Sequence, residues 1–266
     1  MKHLLGFRTL SGTQCIGLLI LIILVGFAYL QPWYYPMDNA TQNLNNLLQN
    51  PNQTHWFGTD HFGRDMLSRI AAAIRLSFGM ALMSVSVSLF FGLLCGIIAS
   101  LGGVYDKVFN LICDIVMALP GLLFILLFAA IAPNSFWALY LGIALVMWVE
   151  FFKMARAISL SLSQSKEVEA SYLMDFGLLY RIRRHYLPKI LPMLLPLAAY
   201  GAGNAVLALA TLGFINVGLR PPTAELGLMM TELFPHYYEA PLIFIQPIIA
   251  TCLLVLSFQL LSGQAK

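Results

Sequence analysis

The chain has 266 residues, 59% of them hydrophobic and only 10% charged, with a mean hydropathy of +0.80. That composition excludes a soluble domain and points to a membrane protein. The net charge of +3 reads as membrane topology rather than nucleic-acid binding, because its Lys and Arg residues are unevenly shared between the two sides.

A hydrocarbon core of about 30 Å takes about 20 helical residues to cross. Six apolar runs fit: Cys15–Tyr35, Leu76–Leu101, Val108–Ile131, Ser135–Phe152, Ile190–Ile215 and Ala240–Leu261. The expected fold is therefore all-α, a polytopic membrane protein with six transmembrane helices. The first run follows a short segment, 1–14, that carries Lys2 and Arg8. It is longer than a signal-peptide core, and Gln31-Pro32-Trp33-Tyr34-Tyr35 is no small-residue cleavage site, so the span is expected to be retained.

A cytoplasmic N-terminus puts Lys2, Arg8, Lys107, Lys153, Arg156, Lys166, Arg181, Arg183, Arg184, Lys189 and Lys266 inside. It leaves Arg64, Arg69, Arg75 and Arg220 outside, eleven cations against four. The rule that inner loops are positive selects this orientation. Segments 36–75 and 216–239 are then outside and 153–189 inside.

After the first span, Pro36 to Asn52 is rich in Asn and Gln and needs several local turns. Its sequons at Asn39 and Asn52 read as loop composition rather than glycosylation sites. Residues 55–79 then bring glycines and short polar groups beside paired charges: Gly58, Thr59, Asp60, Gly63, Arg64, Asp65, Ser68 and Arg69. Asp65 and Arg69 stand at i and i+4, so they pair if a helix starts at Gly63. On residue chemistry this is a capped helix start whose charges satisfy one another, ahead of a landing site for an outside partner.

The second span holds Gly92-x-x-x-Gly96 with Ser100 beyond, a spacing that lets helices approach closely in lipid. In the third, Asp114 fits either an interfacial carboxylate or an intramembrane functional one, and Pro120-Gly121 predicts a kink. Glu150, Lys153 and Arg156 are expected at the inner end of the fourth span, reaching for water. Cys15, Cys95, Cys113 and Cys252 are far apart and lack any metal-site or disulfide spacing.

Between the fourth and fifth spans lies Glu167 to Pro192, EVEASYLMDFGLLYRIRRHYLPKILP. Val168, Tyr172, Leu173 and Phe176 recur at helical spacing, which predicts a short helix on the membrane surface. Spacing alone leaves open whether it only sets topology or docks a soluble partner.

Here the chain resembles a known family. Val168-Glu169-Ala170, then His185-x-Leu187-Pro188, is similar to the EAA loop of ABC-importer permeases of the dipeptide, oligopeptide and nickel branch. Asp175 stands where the family has glycine, with Gly177 two residues later. A second match is G-T-D-x-x-G-R-D-x-x-S-R at 58–69 followed by Arg75-x-Ser77, with Ala73 in place of a usual glycine. A third is the segment INVGLRPPTAELG at 215–227, where Asn216 and Leu226 replace a family glycine and tryptophan. The resemblance covers 55–260 as one permease domain.

The resemblance implies a coupling helix seated in an ATP-hydrolysing subunit, with Glu167, Glu169, Ala170, Ser171, Asp175 and Gly177 as the coupling residues. Asp175 would then face a compensating basic group on that subunit. Gly58, Thr59, Asp60, Gly63, Arg64, Asp65, Ser68, Arg69, Arg75, His185 and Pro188 are implied as structural motif positions. The partners implied are a companion permease, two ATP-binding subunits that hold the ATP and Mg, and an extracellular binding protein. Localisation follows as the bacterial inner membrane.

The chain has no Gly-Lys pair and hence no phosphate-cradling loop of its own, so no cofactor is expected in it. It shows no H-E-x-x-H or G-x-S-x-G motif, and its five histidines are scattered, so neither an enzyme nor a metal site is expected. A free-standing secondary transporter or channel remains the rival class, and it calls for more midplane charge than the six runs offer. The strings HWFGTDHFGRD and PPTAELG resemble nickel-type members, which puts nickel or a metal chelate ahead of peptide as cargo. The expected midplane holds no charge for the termini of a bare peptide.

Overall fold

A computed structural model describes residues 11–263. Lys2, Arg8 and Lys266, which the charge count used, lie outside the described residues. Among those described, ten α-helices are arranged as a bundle: α1 Gly12–Tyr34, α2 Met66–Ala99, α3 Gly103–Met117, α4 Gly121–Ile131, α5 Phe136–Ser163, α6 Lys166–Leu173, α7 Leu178–Arg181, α8 Leu187–Phe214, α9 Leu226–Leu233 and α10 Pro241–Leu261. A π-helical turn, Ile182–Tyr186, joins α7 to α8. Five helices are long and apolar enough to cross a membrane, and α3 with α4 makes a sixth if the bent pair is one span.

Helix ends follow local chemistry. Ser11 and Gln14 form a reciprocal capping box at the start of α1. Asp65 caps α2, its Oδ1 accepting from Ser68 N at 2.9 Å. The cap starts α2 ten residues before the expected span at Leu76. At 34 residues the helix is about 51 Å long, so its first turns stand beyond the hydrocarbon slab. The apolar run could not show this, because Ser68, Arg69 and Arg75 interrupt it, although Ser68 and Arg69 are buried.

Two further expectations change. The third span is no kinked rod: α3 and α4 meet at 83°. Pro120 has no N–H to donate and sits at φ −54°, ψ 133°, so the helix stops and restarts at Gly121. The fourth span runs on to Ser163, eleven residues past Phe152, and this leaves Glu150 midway along α5 instead of at its inner end. Arg156 does not simply reach for water; it forks onto Asp106 of α3, with Nε–Oδ1 2.5 Å and Nη2–Oδ2 2.7 Å.

The core lies where α2, α5, α8 and α10 meet, with Met80, Ile143, Phe151, Leu194 and Leu254 inside. Gly92 and Gly96 admit α5 against α2. A Cβ on them would stand 2.5 Å from Phe151 Cβ and 2.7 Å from Ala155 Cβ, so the sequence spacing serves this one contact. A second apolar cluster joins Met66, Ile74, Leu226, Leu233 and Ile243 at the end of the bundle holding segment 36–65. All four cysteines are free.

Candidate coupling interface

Segment 164–186 projects from the end of the bundle opposite that cluster. In α6, Val168 and Ser171 are buried and form the inward stripe, while Glu167, Glu169, Ala170, Tyr172 and Leu173 face outward. Val168 joins the main core beside Tyr186 and Ile190. Ser171 Oγ is hydrogen-bonded to His185 Nε2 at 2.8 Å. Lys189 Nζ donates to Glu167 Oε2 at 2.6 Å, which holds that carboxyl below its usual range. The α6 side thus meets His185 and Lys189 across the π turn, and Pro188 sits in the first turn of α8, where a missing N–H costs nothing.

The end of α6 explains the residue at 175. Phe176 N donates to Ser171 O and Asp175 N to Tyr172 O, both at 3.0 Å, which together make a Schellman C-cap. Such a cap needs a left-handed residue, and Asp175 takes φ +56°. Glycine does this without strain and aspartate is among the few others that manage it. Backbone geometry therefore accounts for Asp175 without a basic group opposite. Gly177, at φ −59°, is not left-handed.

Beyond the cap, Leu173, Met174 and Leu179 are 71–79% exposed. Tyr172 lies under the Arg181 guanidinium at 5.3 Å, and Phe176 stacks on Tyr180 at 4.4 Å between ring centres. Beneath α6 a hollow of about 470 Å³ is lined by Glu169, Tyr172, Arg181, Gln164 and Ser100. A rigidly hydrogen-bonded platform therefore carries an apolar rim with an acidic side chain next to it. Exposed apolar rims of this kind mark contact surfaces for protein or membrane.

The other motif residues are brought together at the opposite end. Asp60 Oδ1 accepts from Phe62 N and Arg64 N, and Oδ2 accepts from Arg64 Nε at 2.6 Å. Arg69 Nε lies 3.3 Å from the same oxygen. Arg64 and Arg69 both reach Glu232 Oε2, at 3.0 and 2.9 Å. Asp65 is not bonded to Arg69, contrary to the i, i+4 expectation. The helix begins at Met66, so Asp65 is its cap and turns to Tyr35 OH at 2.8 Å and His55 Nδ1 at 2.9 Å. The charges do satisfy one another, but inside the protein: Asp60, Arg64 and Arg69 are at most 1% exposed.

The glycines and Thr59 serve the same knot. Gly58 and Gly63 have φ +80° and +70°, and a Cβ on Gly63 would fall 1.8 Å from Asn43 O. Thr59 Oγ1 donates to Asn46 O at 2.5 Å and accepts from Gln49 N at 2.9 Å. Gln31 Nε2 donates to Ser68 Oγ at 3.3 Å. Arg75 hydrogen-bonds the carbonyl of Ala28, fastening α2 to α1. Glu232 was invisible to motif reasoning; its only signal is that few acids occur in 216–239. In the neighbouring PPTAELG segment, Glu225 caps α9 through Gly227 N and Leu228 N at 2.9 and 2.7 Å, and burial pushes its carboxyl up to about 7.

Comparison with known proteins fits this architecture. The family described as "Binding-protein-dependent transport system inner membrane component" matches residues 88–264. The nickel transport system permease protein NikC of Escherichia coli K12 is 31% identical over 252 residues, covering 94% of this chain and 91% of that one. The dipeptide transport system permease protein DppC of Haemophilus influenzae is 33% identical over 253 residues, covering 92% and 86%. A putative peptide permease protein of Brucella suis is 34% identical over 244 residues, covering 88% and 81%. With its all-helical membrane fold, the chain belongs to the inner-membrane permeases of ABC importers, in the dipeptide and nickel family.

Proposed function

We propose that this permease forms half of a translocation pathway and that α6 is its coupling helix, seated in a groove of an ATP-hydrolysing subunit. The observation that carries the reading is the outward face of α6 with its exposed rim, on a base fixed by Ser171–His185 and Glu167–Lys189. Burying a large apolar side chain is worth about 1.5–3 kcal/mol. Seating Leu173, Met174 and Leu179 thus supplies several kcal/mol toward a stable contact. Closure of two ATPase subunits on ATP and Mg would move α6 through its bonded base, and the bundle would pass between inward- and outward-open states. This chain itself supplies no catalytic group and binds no cofactor; a companion permease and an outside binding protein complete the assembly.

The relatives' names speak of nickel in one case and of peptides in the others, which supports either cargo; the strings HWFGTDHFGRD and PPTAELG favour the nickel-type members. We assign a nickel or metal chelate first and a short peptide second. In this reading the N-terminus and α6 are cytoplasmic and segment 36–65 is outside. Single cysteines at 45 and 134 should label in intact cells, and one at 175 only after permeabilisation. Labelling of 175 from outside would overturn the orientation and the coupling role together.

A further inference from the structure

Glu150 is an ionisable side chain in the middle of a membrane-spanning helix. It lies midway along the 28-residue α5, about 20 Å from either end at 1.5 Å per residue. It is exposed and has no hydrogen-bond or ion-pair partner among the described residues. The cations one and two turns further along α5 are occupied: Lys153 Nζ lies 2.7 Å from Met117 Sδ, and Arg156 is forked onto Asp106. An unpaired carboxylate within a membrane-spanning helix is costly to turn toward lipid.

Glu150 and Asn204 are the two polar side chains of a hollow of about 160 Å³ between α4, α5 and α8, whose wall is otherwise apolar, with Leu122, Ile125, Ile143 and Met147. Asn204 of α8 is half-buried and its carboxamide has no partner among the described residues. Gly121 opens α4, whose first turn has no side-chain cap, so backbone N–H groups stand at the wall. Irregular backbone at membrane depth is tolerated where it borders a water-filled cavity. On the opposite side of α5, half a turn round, Leu141 is exposed and apolar, as a lipid-facing side should be.

From the unpaired carboxylate, the carboxamide and the broken helix together, we infer that Glu150 and Asn204 form a polar station in the translocation path that receives a cationic group of the solute. The inference rests on the importer reading. A carboxylate beside a carboxamide suits either an ammonium group or a metal cation and its bound waters. A helix ending near Phe152 would put Glu150 at its inner end, reaching for water; α5 continues to Ser163 and holds it midway along.

The test uses the complete transporter in membrane vesicles. Its native cysteines are replaced by alanine, and either Glu150→Cys or Leu141→Cys is introduced. Water-soluble methanethiosulfonates should modify Glu150→Cys at least tenfold faster than Leu141→Cys in one of the nucleotide-free and ATP-bound states. Attaching a sulfonate should preserve uptake; attaching a trimethylammonium should abolish it. In the native-cysteine background, Glu150→Gln should lower uptake of nickel-63 or of labelled dialanine at least tenfold, with ATP hydrolysis retained. The probe whose uptake falls shows which cation the station meets. Protection of Glu150→Cys in both states, or wild-type uptake by Glu150→Gln, would overturn the station. Failure of the unmodified transporter to couple ATP to uptake would instead refute the importer reading.

Discussion

Replacing Glu232 by alanine should be among the most damaging single changes outside the core. Its carboxylate meets two guanidinium groups, Arg64 and Arg69, at 3.0 and 2.9 Å, and these are 1% and 0% exposed. At an effective dielectric of 20, each contact carries about 5 kcal/mol of Coulomb energy. Most of that is offset by the cost of taking the ions out of water. Without Glu232, Asp60 alone faces both arginines, so one cation stays buried and uncompensated. Breaking a buried pair in this way costs about 3–5 kcal/mol; Glu232 is 11% exposed, so the lower end applies. At roughly 2–4 °C per kcal/mol for a chain of this size, the midpoint of thermal unfolding in nanodiscs should drop by about 6–12 °C. Glu239→Ala, at a 72% exposed acid, should move it by under 2 °C. Equal midpoints for the two variants would refute the view that this knot fixes α2 to α9.

Three further outcomes follow from local geometry. Asp175→Gly should relieve the left-handed cap and stabilise α6 by about 0.5–1 kcal/mol, seen as slower amide exchange at Met174 to Phe176; faster exchange would show that the aspartate side chain matters more than its backbone. Gly227→Val should unseat α9, because its Cβ would fall 1.8 Å from Ala210 O, and limited proteolysis between 215 and 240 should rise severalfold. Glu225 titrates at about 7, raised by burial from about 4.3 in an unfolded chain. The folded state therefore holds the proton longer, and α9 should be most stable below about pH 4.3, lose stability as pH rises to about 7, and change little above. Exchange of α9 amides corrected for intrinsic rate should show this fall and Glu225→Gln should flatten it; a rise instead would mean that donation from Gly227 and Leu228 outweighs burial.

Much of the fold is legible in hydropathy alone, since α1, α8 and α10 follow apolar runs whose ends are marked by polar residues or proline. The start of α2 is not, because Arg69 and Ser68 read as surface residues until Glu232 and Gln31 arrive from distant parts of the chain to bury them. The 83° break at Pro120 is hidden for a related reason: the same Pro-Gly pair sits in straight helices when neighbours re-satisfy the backbone. In segment 164–186 the spacing of Val168, Tyr172, Leu173 and Phe176 finds the helix but not its inward face: Val168 and Ser171 are buried, whereas Tyr172, Leu173 and Phe176 are exposed. The glycine-to-Asp175 change looks electrostatic until φ is known. The length of α5 is missed because the apolar run ends at the first charges, whereas the helix continues to Ser163 and holds Glu150 midway along it.

The most direct test of coupling through α6 is ATP-driven uptake by the assembled transporter carrying Ala170→Arg. Ala170 is exposed in this chain, so an arginine there meets no clash within the permease and leaves it inserted and folded. A groove closed over α6 would have to bury the new charge, at a cost of several kcal/mol. The account predicts that the ATPase subunits no longer co-purify or that uptake falls at least tenfold while the permease level is unchanged. Wild-type uptake with normal ATPase retention would contradict it.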